Sequence, residues 1–434
     1  MVIEKVKEYF IKHPLIKSGA SYSFWATIKS VCTTIVGLAV MWWLTPDELG
    51  RWNTVSIFLA YAPFFQLGIQ SGLNTELPVF LGNNDKETAY ARISNGYGYA
   101  YLVSCVFLIL GTILSIWLYN TKGLHECCGA ITITITAICS SFTLHFIARY
   151  RSAKAFDRLT TINQLEISIT ILGVYLIYKF GYWGILAYNI ITYSTDACLL
   201  YWKAPFKELK PKLHLPVIFK MGKIGIAMMV LVQLRTAAQT LPRWIILLKS
   251  TREKLGLYTP ATAIGGLINL VPGQFAQFFY PQMGYKYGQT GKASSMWPYV
   301  KKIFWILPLV VLPISASIYM LSPWILETFF PKYTESLWAM RIMCITFLFT
   351  SPNGATMVLN TLKAFKYSYL CSLVHFSGCF ILPFLSVTFL SYDILTSVTV
   401  GLAINEFLCY VFNICILRHV LFLSKYNNPQ ISSK

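Results

Sequence analysis

The amino-acid sequence predicts an all-α integral membrane protein of twelve transmembrane helices, and three observations carry that prediction. The 434 residues are 56% hydrophobic and only 12% charged, about half the charged fraction of a soluble domain. Apolar runs of roughly 20 residues recur along the length, each long enough to cross about 30 Å of hydrocarbon as a helix. The 36 Lys and Arg residues are distributed unevenly between alternate loops. With the N-terminus inside, the cytoplasmic segments hold 25, the opposite side 7 and the membrane 4. That is the positive-inside pattern, and it places both termini in the cytoplasm.

The spans run at about 19–43, 52–73, 95–119, 128–149, 160–180, 184–203, 224–248, 256–280, 302–322, 337–360, 368–391 and 395–418. The first is too long for a cleavable signal peptide and lacks its small-residue cleavage motif. The second is announced by Thr45, Pro46 and Glu48, which read as N-cap, first helical position and third position of a capping box. Asp47 and Glu48 could instead be external catalytic acids, but the cap explains them more simply. In the fourth span "AITITITAIC" alternates like a strand. A lone strand would leave its backbone unpaired in lipid, so a helix is expected.

The second half echoes the first. "ELGRWNT" from Glu48 answers "KLGLYTP" from Lys254 at an offset of 206, which also relates Gly82 to Gly288 and Lys86 to Lys292. "KAF" at Lys154–Phe156 returns at Lys363–Phe365. Six helices per unit is an even number, so the halves are parallel repeats about an axis along the membrane normal. The expected organisation is an N-lobe of residues 1–208 and a C-lobe of 209–434, joined by the basic, Pro-containing stretch "KAPFKELKPKLHLP" at 203–216. Two such lobes suit a transporter that rocks one against the other.

The net charge of +19 is mostly topological, so nucleic acid is not an expected partner. The eleven cysteines show no C-x-x-C and no accompanying His spacing, so neither zinc nor a disulfide framework is expected. No phosphate-binding loop followed by Lys-Ser or Lys-Thr occurs. With no cofactor indicated, energy would come from a proton or cation gradient, or from consumption of the product outside.

The informative residues are charges inside spans. Lys29, about ten residues from either end of the first span, shares a face with Trp25. In the seventh span Arg235, Gln239 and Arg243 follow at four-residue steps, the two arginines about 12 Å apart along the axis. A buried arginine costs roughly 2.5–3.5 kcal/mol on insertion scales, so each cation requires a reason. One is an ion pair with a membrane acid: Glu166, Asp196 and Glu406 are the available partners, and also the candidate proton carriers. The other is a cavity for an anion, because guanidinium suits bidentate phosphate binding. Gln66, Gln70 and Asn74 share a face of the second span, interleaved with Gly68 and Gly72. They could bind sugar hydroxyls or tie helices together.

Residues 44–85, "LTPDELGRWNTVSIFLAYAPFFQLGIQSGLNTELPVFLGNND", resemble the N-terminal signature of bacterial polysaccharide biosynthesis proteins of the Wzx type. These belong to the MOP superfamily with the MATE exporters and the lipid II flippases. "GLNTELPVFLG" is its most specific element. The resemblance implies translocation of an undecaprenyl-pyrophosphate-linked oligosaccharide from the inner to the outer leaflet of the bacterial cytoplasmic membrane, by alternating access. It also implies membrane lipids, a polysaccharide polymerase and a chain-length regulator as partners. Lys29 and Arg235 would then attract the pyrophosphate, with Gln239, Arg243, Trp25, Gln66, Gln70 and Asn74 around the glycan.

Three rivals differ in class. MATE-like exporters of drugs or cations tend to carry an acid in an early helix, where this chain has Lys29. A major-facilitator transporter would carry Gly-x-x-x-Asp-Arg after its second helix, where "LGNNDKETAYAR" stands. A membrane glycan polymerase or glycosyltransferase would need a large external loop, and the longest expected here is the short stretch 323–336.

Overall fold

The computed structural model of the protein describes residues 14–423, apart from 267, 269–271, 273–282, 284, 285 and 288, together with Asn427. Among the described residues every regular element is helical. In chain order they are α1 (Pro14–Trp43), α2 (Pro46–Leu59), α3 (Ile69–Gly82), α4 (Lys86–Lys122), α5 (Leu124–Ser152), α6 (Phe156–Trp202) and α7 (Leu215–Lys249). There follow α8 (Arg252–Leu257), α9 (Trp297–Phe329), α10 (Leu337–Thr350), α11 (Met357–Thr361), α12 (Phe365–Phe389) and α13 (Ile394–Phe422). Tight 3-10 turns lie at Ala62–Gln66, Ala293–Met296, Pro331–Ser336 and Ser351–Thr356.

Nine helical segments among the described residues are long and apolar enough to cross a membrane. Three features reconcile that number with twelve spans. The 47 residues of α6 would reach about 70 Å as one rod, but Gly181 departs to φ 52°, ψ −124°. The element is therefore two arms, matching the spans at 160–180 and 184–203. The second span is interrupted: after the 3-10 turn at Ala62–Gln66, Leu67 and Gly68 both take left-handed backbone. That leaves two pieces of 14 residues, α2 and α3. The span at 256–280 lies largely outside the described residues, with helical backbone from 259 to 266.

The alternating "AITITIT" lies within α5 and is helical. The hydroxyls of Thr132, Thr134 and Thr136 donate to the carbonyls of Cys128, Ala130 and Thr132. Each polar group is thus satisfied within its own helix, as hydrocarbon requires.

The chain groups into two compact units, Met1–Leu44 with Arg51–Gln233, and Thr45–Gly50 with Leu234–Lys434. This packing division falls within α7, whereas the boundary read from the repeat lies at 208/209. In the first unit, α1 packs on α6 and α4 packs on α5. Its core includes Ile69, Leu73, Leu77, Ile93, Val103 and Met221. Gly68 and Gly72 let the α3 backbone approach that of α7 at Met221 and Gly225. Large apolar side chains such as Ile109, Ile113 and Trp117 on α4 are exposed, as on a helix face that meets lipid.

In the second unit, Met296, Val300, Ile303, Leu307, Val358, Leu359 and Leu417 form a core among α9, α11 and α13. The capping box is present: Thr45 N donates to Glu48 Oε2 (2.9 Å) and Glu48 N to Thr45 Oγ1 (3.3 Å). At the repeat offset, Thr251 Oγ1 caps Lys254 N (3.3 Å). Lysine cannot return that bond, so the second cap is half a box. Instead Lys254 Nζ reaches Glu335 (2.7 Å) and Asp393 (3.2 Å). Gly50 and Gly256, also related by the repeat, pack backbone to backbone, and a Cβ on either would collide with the other segment.

Candidate functional site

A cavity of about 620 Å³ opens within the second unit. Its wall is built from the C-terminal half of α7, the helical stretch after Tyr258, α10, the 3-10 turn Ser351–Thr356, α12 and α13. That turn interrupts a helix at the cavity wall, where irregular backbone is tolerated within a membrane. "SPNG", with Pro352 and Gly354, is the local cause, and the break brings Asn353 and Thr356 onto the wall.

The four-residue spacing on α7 places Arg235, Gln239 and Arg243 along this wall. Arg235 and Gln239 are exposed and Arg243 is half-buried. Arg235 Nη2 donates to Thr356 Oγ1 at 2.8 Å, and Thr356 in turn donates to the Asn353 carbonyl. Neither arginine forms an ion pair among the described residues. Arg341, by contrast, is held outside the cavity between the rings of Tyr319 and Trp338.

Opposite charge is present on α13. Glu406 lines the cavity and is buried. Its Oε1 lies 2.7 Å from His375 Nε2 on α12, and Asn353 Nδ2 is 3.4 Å from its Oε2. Asn413 Nδ2 donates to Asn353 Oδ1 (3.0 Å), continuing the polar chain. Glu406 thus partners a histidine and an asparagine rather than Lys29 or Arg235.

The first unit holds a second polar centre. Lys29 Nζ forms an ion pair with Glu166, whose side chain is 1% exposed against 34% for Lys29. Asp196, on the second arm of α6, lies beside Glu166 and accepts from Thr143 Oγ1 at 3.0 Å. Glu166 Oε1 has no donor among the described residues. One ammonium and two carboxyl groups therefore meet here, of which only Glu166 is fully buried.

The remaining sequence candidates join neither centre. Trp25 is half-buried on α1, edge-on to Phe24. Gln66 and Gln70 are buried in the first unit, where Gln66 Nε2 donates to Ser141 and Gln70 Nε2 to the Gly96 carbonyl. Gln70 also meets His145. Both glutamines serve as ties between helices. Asn74 is exposed on α3. His375, Cys379, Asn353 and Thr356 line the cavity without having been anticipated. The "SPNG" break was one available signal; the other was the four-residue step from His375 to Cys379, which corrects the reading that no cysteine has an accompanying histidine.

Comparison with solved structures gives the fold class. The chain superposes on an inward-facing multidrug resistance MATE family transporter of the MOP superfamily with TM-score 0.69 at 13% identity, covering 94% of this chain and 96% of that one. A MOP superfamily transporter from Pyrococcus furiosus, described as having a binding pocket of reverse polarity that suggests a different function, gives 0.62 at 16% identity, covering 94% and 96%. A MATE transporter in complex with MaD5 gives 0.64 at 13%, covering 95% and 97%. The molecule is thus a multi-pass membrane protein with the twelve-helix, two-lobed MOP transporter fold. Residues 42–338 match the model of a family described as polysaccharide biosynthesis protein, and the chain belongs to that family. A search of curated proteins finds no match.

Proposed function

We propose that the protein is a flippase in the bacterial cytoplasmic membrane, moving an undecaprenyl-pyrophosphate-linked oligosaccharide from the cytoplasmic to the outer leaflet by alternating access. The observation that carries this reading is the pair Arg235 and Arg243, spaced along one cavity wall without carboxylate partners among the described residues. A diphosphate offers several acceptor oxygens, and an oriented guanidinium can take two at once. Family membership supports a polysaccharide precursor as the passenger. Gln239, Thr346, Thr350 and Asn353 line the same cavity and provide neutral donors and acceptors for sugar hydroxyls. The polyprenyl tail, being as apolar as the membrane, stays in lipid.

Lys29, Glu166 and Asp196 act as the coupling centre in this scheme. While Glu166 is ionised it holds Lys29. A proton shared by the adjacent Glu166 and Asp196 carboxyls satisfies both and releases Lys29 from its ion pair. Entry of one proton is thereby linked to loss of the Lys29–Glu166 pair that ties α1 to α6.

A second reading, MATE-like export of an organic cation, is favoured by one observation: Glu406 also lines the cavity. Its neighbour His375 and the two arginines weigh against it. The reverse pocket polarity described for the Pyrococcus furiosus transporter supports the view that this fold accommodates cavities of opposite charge. Deletion separates the readings. Loss of the protein leads to accumulation of lipid-linked units facing the cytoplasm if it is a flippase. Unchanged glycan export together with lost efflux of a cationic dye would instead establish the exporter.

A further inference from the structure

We infer that His375, Cys379 and Glu406 form a binding site for a borderline-soft divalent metal ion, with zinc as the best fit. His375 and Cys379 stand one helical turn apart on α12 and so share a face. Glu406 is presented by α13, the helix packed most closely on α12. The imidazole nitrogen, the thiol sulfur and a carboxylate oxygen lie within 4.8 Å of one another. Cys379 Sγ is 3.7 Å from His375 Nε2, and Glu406 Oε1 is 2.7 Å from it.

The ligand chemistry selects the metal. One nitrogen, one sulfur and one oxygen suit zinc or cobalt, whereas magnesium and calcium take oxygen alone. Tetrahedral coordination with bonds of about 2.0–2.3 Å sets ligand atoms about 3.3–3.6 Å apart. The Cys379–His375 spacing already approaches that value. The His375–Glu406 contact must open by about 0.6 Å, replacing an ion pair with two metal bonds.

Supporting contacts are in place as well. Asn405 Nδ2 lies 3.2 Å from Cys379 Sγ, and Asn353 Nδ2 lies near the far oxygen of Glu406. Such partners orient ligands and hold their charge. All three ligands line the cavity, which gives an entry path and leaves room for water or a substrate oxygen as the fourth ligand. Metal binding would join α12 to α13 and add positive charge to the wall that carries Arg235.

Cobalt titration of the purified, tag-free protein in detergent tests the site. One equivalent of Co²⁺ should bind with a thiolate-to-cobalt charge-transfer band, and Zn²⁺ should displace it. The band should vanish in Cys379→Ser and persist in Cys371→Ser, which alters another cysteine lining the same cavity. Glu406→Gln should weaken Co²⁺ binding at least tenfold, and Asn405→Ala about 10-fold or more. Metal-free melting temperatures show that each variant is folded before titration. Absence of a stoichiometric band in the wild-type protein, or an unchanged band in Cys379→Ser and Glu406→Gln, would overturn the assignment.

Discussion

Arg235 lies mid-helix in α7, yet it lines a cavity and donates to Thr356. The Thr356 hydroxyl and neighbouring dipoles reduce the insertion cost of roughly 2.5–3.5 kcal/mol. A hydrogen bond to a charged group contributes about 1.5–3 kcal/mol, or roughly 10- to 150-fold in affinity. Arg235→Ala should therefore weaken binding of a short-chain polyprenyl pyrophosphate about 10-fold or more, read by calorimetry. Arg235→Lys should recover only part of the loss, because a point charge lacks the planar fork. Lys29 poses the opposite case, since its charge is already matched by Glu166. Breaking a buried pair costs about 3–5 kcal/mol, and the partial exposure of Lys29 lowers that figure. Lys29→Met alone should thus reduce the melting temperature more than Lys29→Met with Glu166→Gln. Equal losses would mean that leaving Glu166 buried without Lys29 carries no penalty.

Among the elements, the start of α2 and its repeat counterpart α8 meet backbone to backbone at Gly50 and Gly256. Overpacking such a contact costs about 1–3 kcal/mol, so Gly256→Ala should lower the melting temperature by several degrees. Gly37→Ala is the control, because a Cβ there meets nothing within 4 Å. Lys254 shows how the repeat diverged. Where Glu48 closes a capping box, Lys254 ties α8 to Glu335 and to Asp393, the N-cap of α13. Hydrogen bonding to Glu335 raises the Lys254 pKa above its ordinary value, against the opposing effect of burial, with Asp393 adding to the rise. A raised value means that its stabilisation is complete below the unfolded pKa of about 10.4 and is lost as pH climbs through the folded one. Lys254→Ala should cost about 1 kcal/mol or less, as exposed pairs do. The deficit should be equal at pH 7 and pH 9, narrowing only in stronger alkali; a deficit that changes between those two values would contradict the assignment.

For the whole molecule, what was legible in the sequence is what depends on one helix at a time. Span length, the Thr45–Glu48 cap and the common face of Arg235, Gln239 and Arg243 all follow from local sequence. Partner choice does not, because it depends on how helices dock. Spacing alone left Glu166, Asp196 and Glu406 equivalent as partners for Lys29, and only packing of α1 on α6 selects Glu166. For the same reason the His375–Cys379–Glu406 cluster escaped notice, being assembled from two helices. The break at Leu67 and Gly68 was hidden because left-handed leucine has no sequence signature. The central claim, that the Arg235 wall receives a lipid-linked diphosphate during passage, is tested most directly in proteoliposomes holding purified protein and a labelled polyprenyl-pyrophosphate oligosaccharide. Accessibility of the label to an external glycosidase reports each crossing. Wild-type protein should expose the inner pool with time, and Arg235→Ala, at equal insertion, should do so at least tenfold more slowly. Equal rates for the two proteins would contradict the claim.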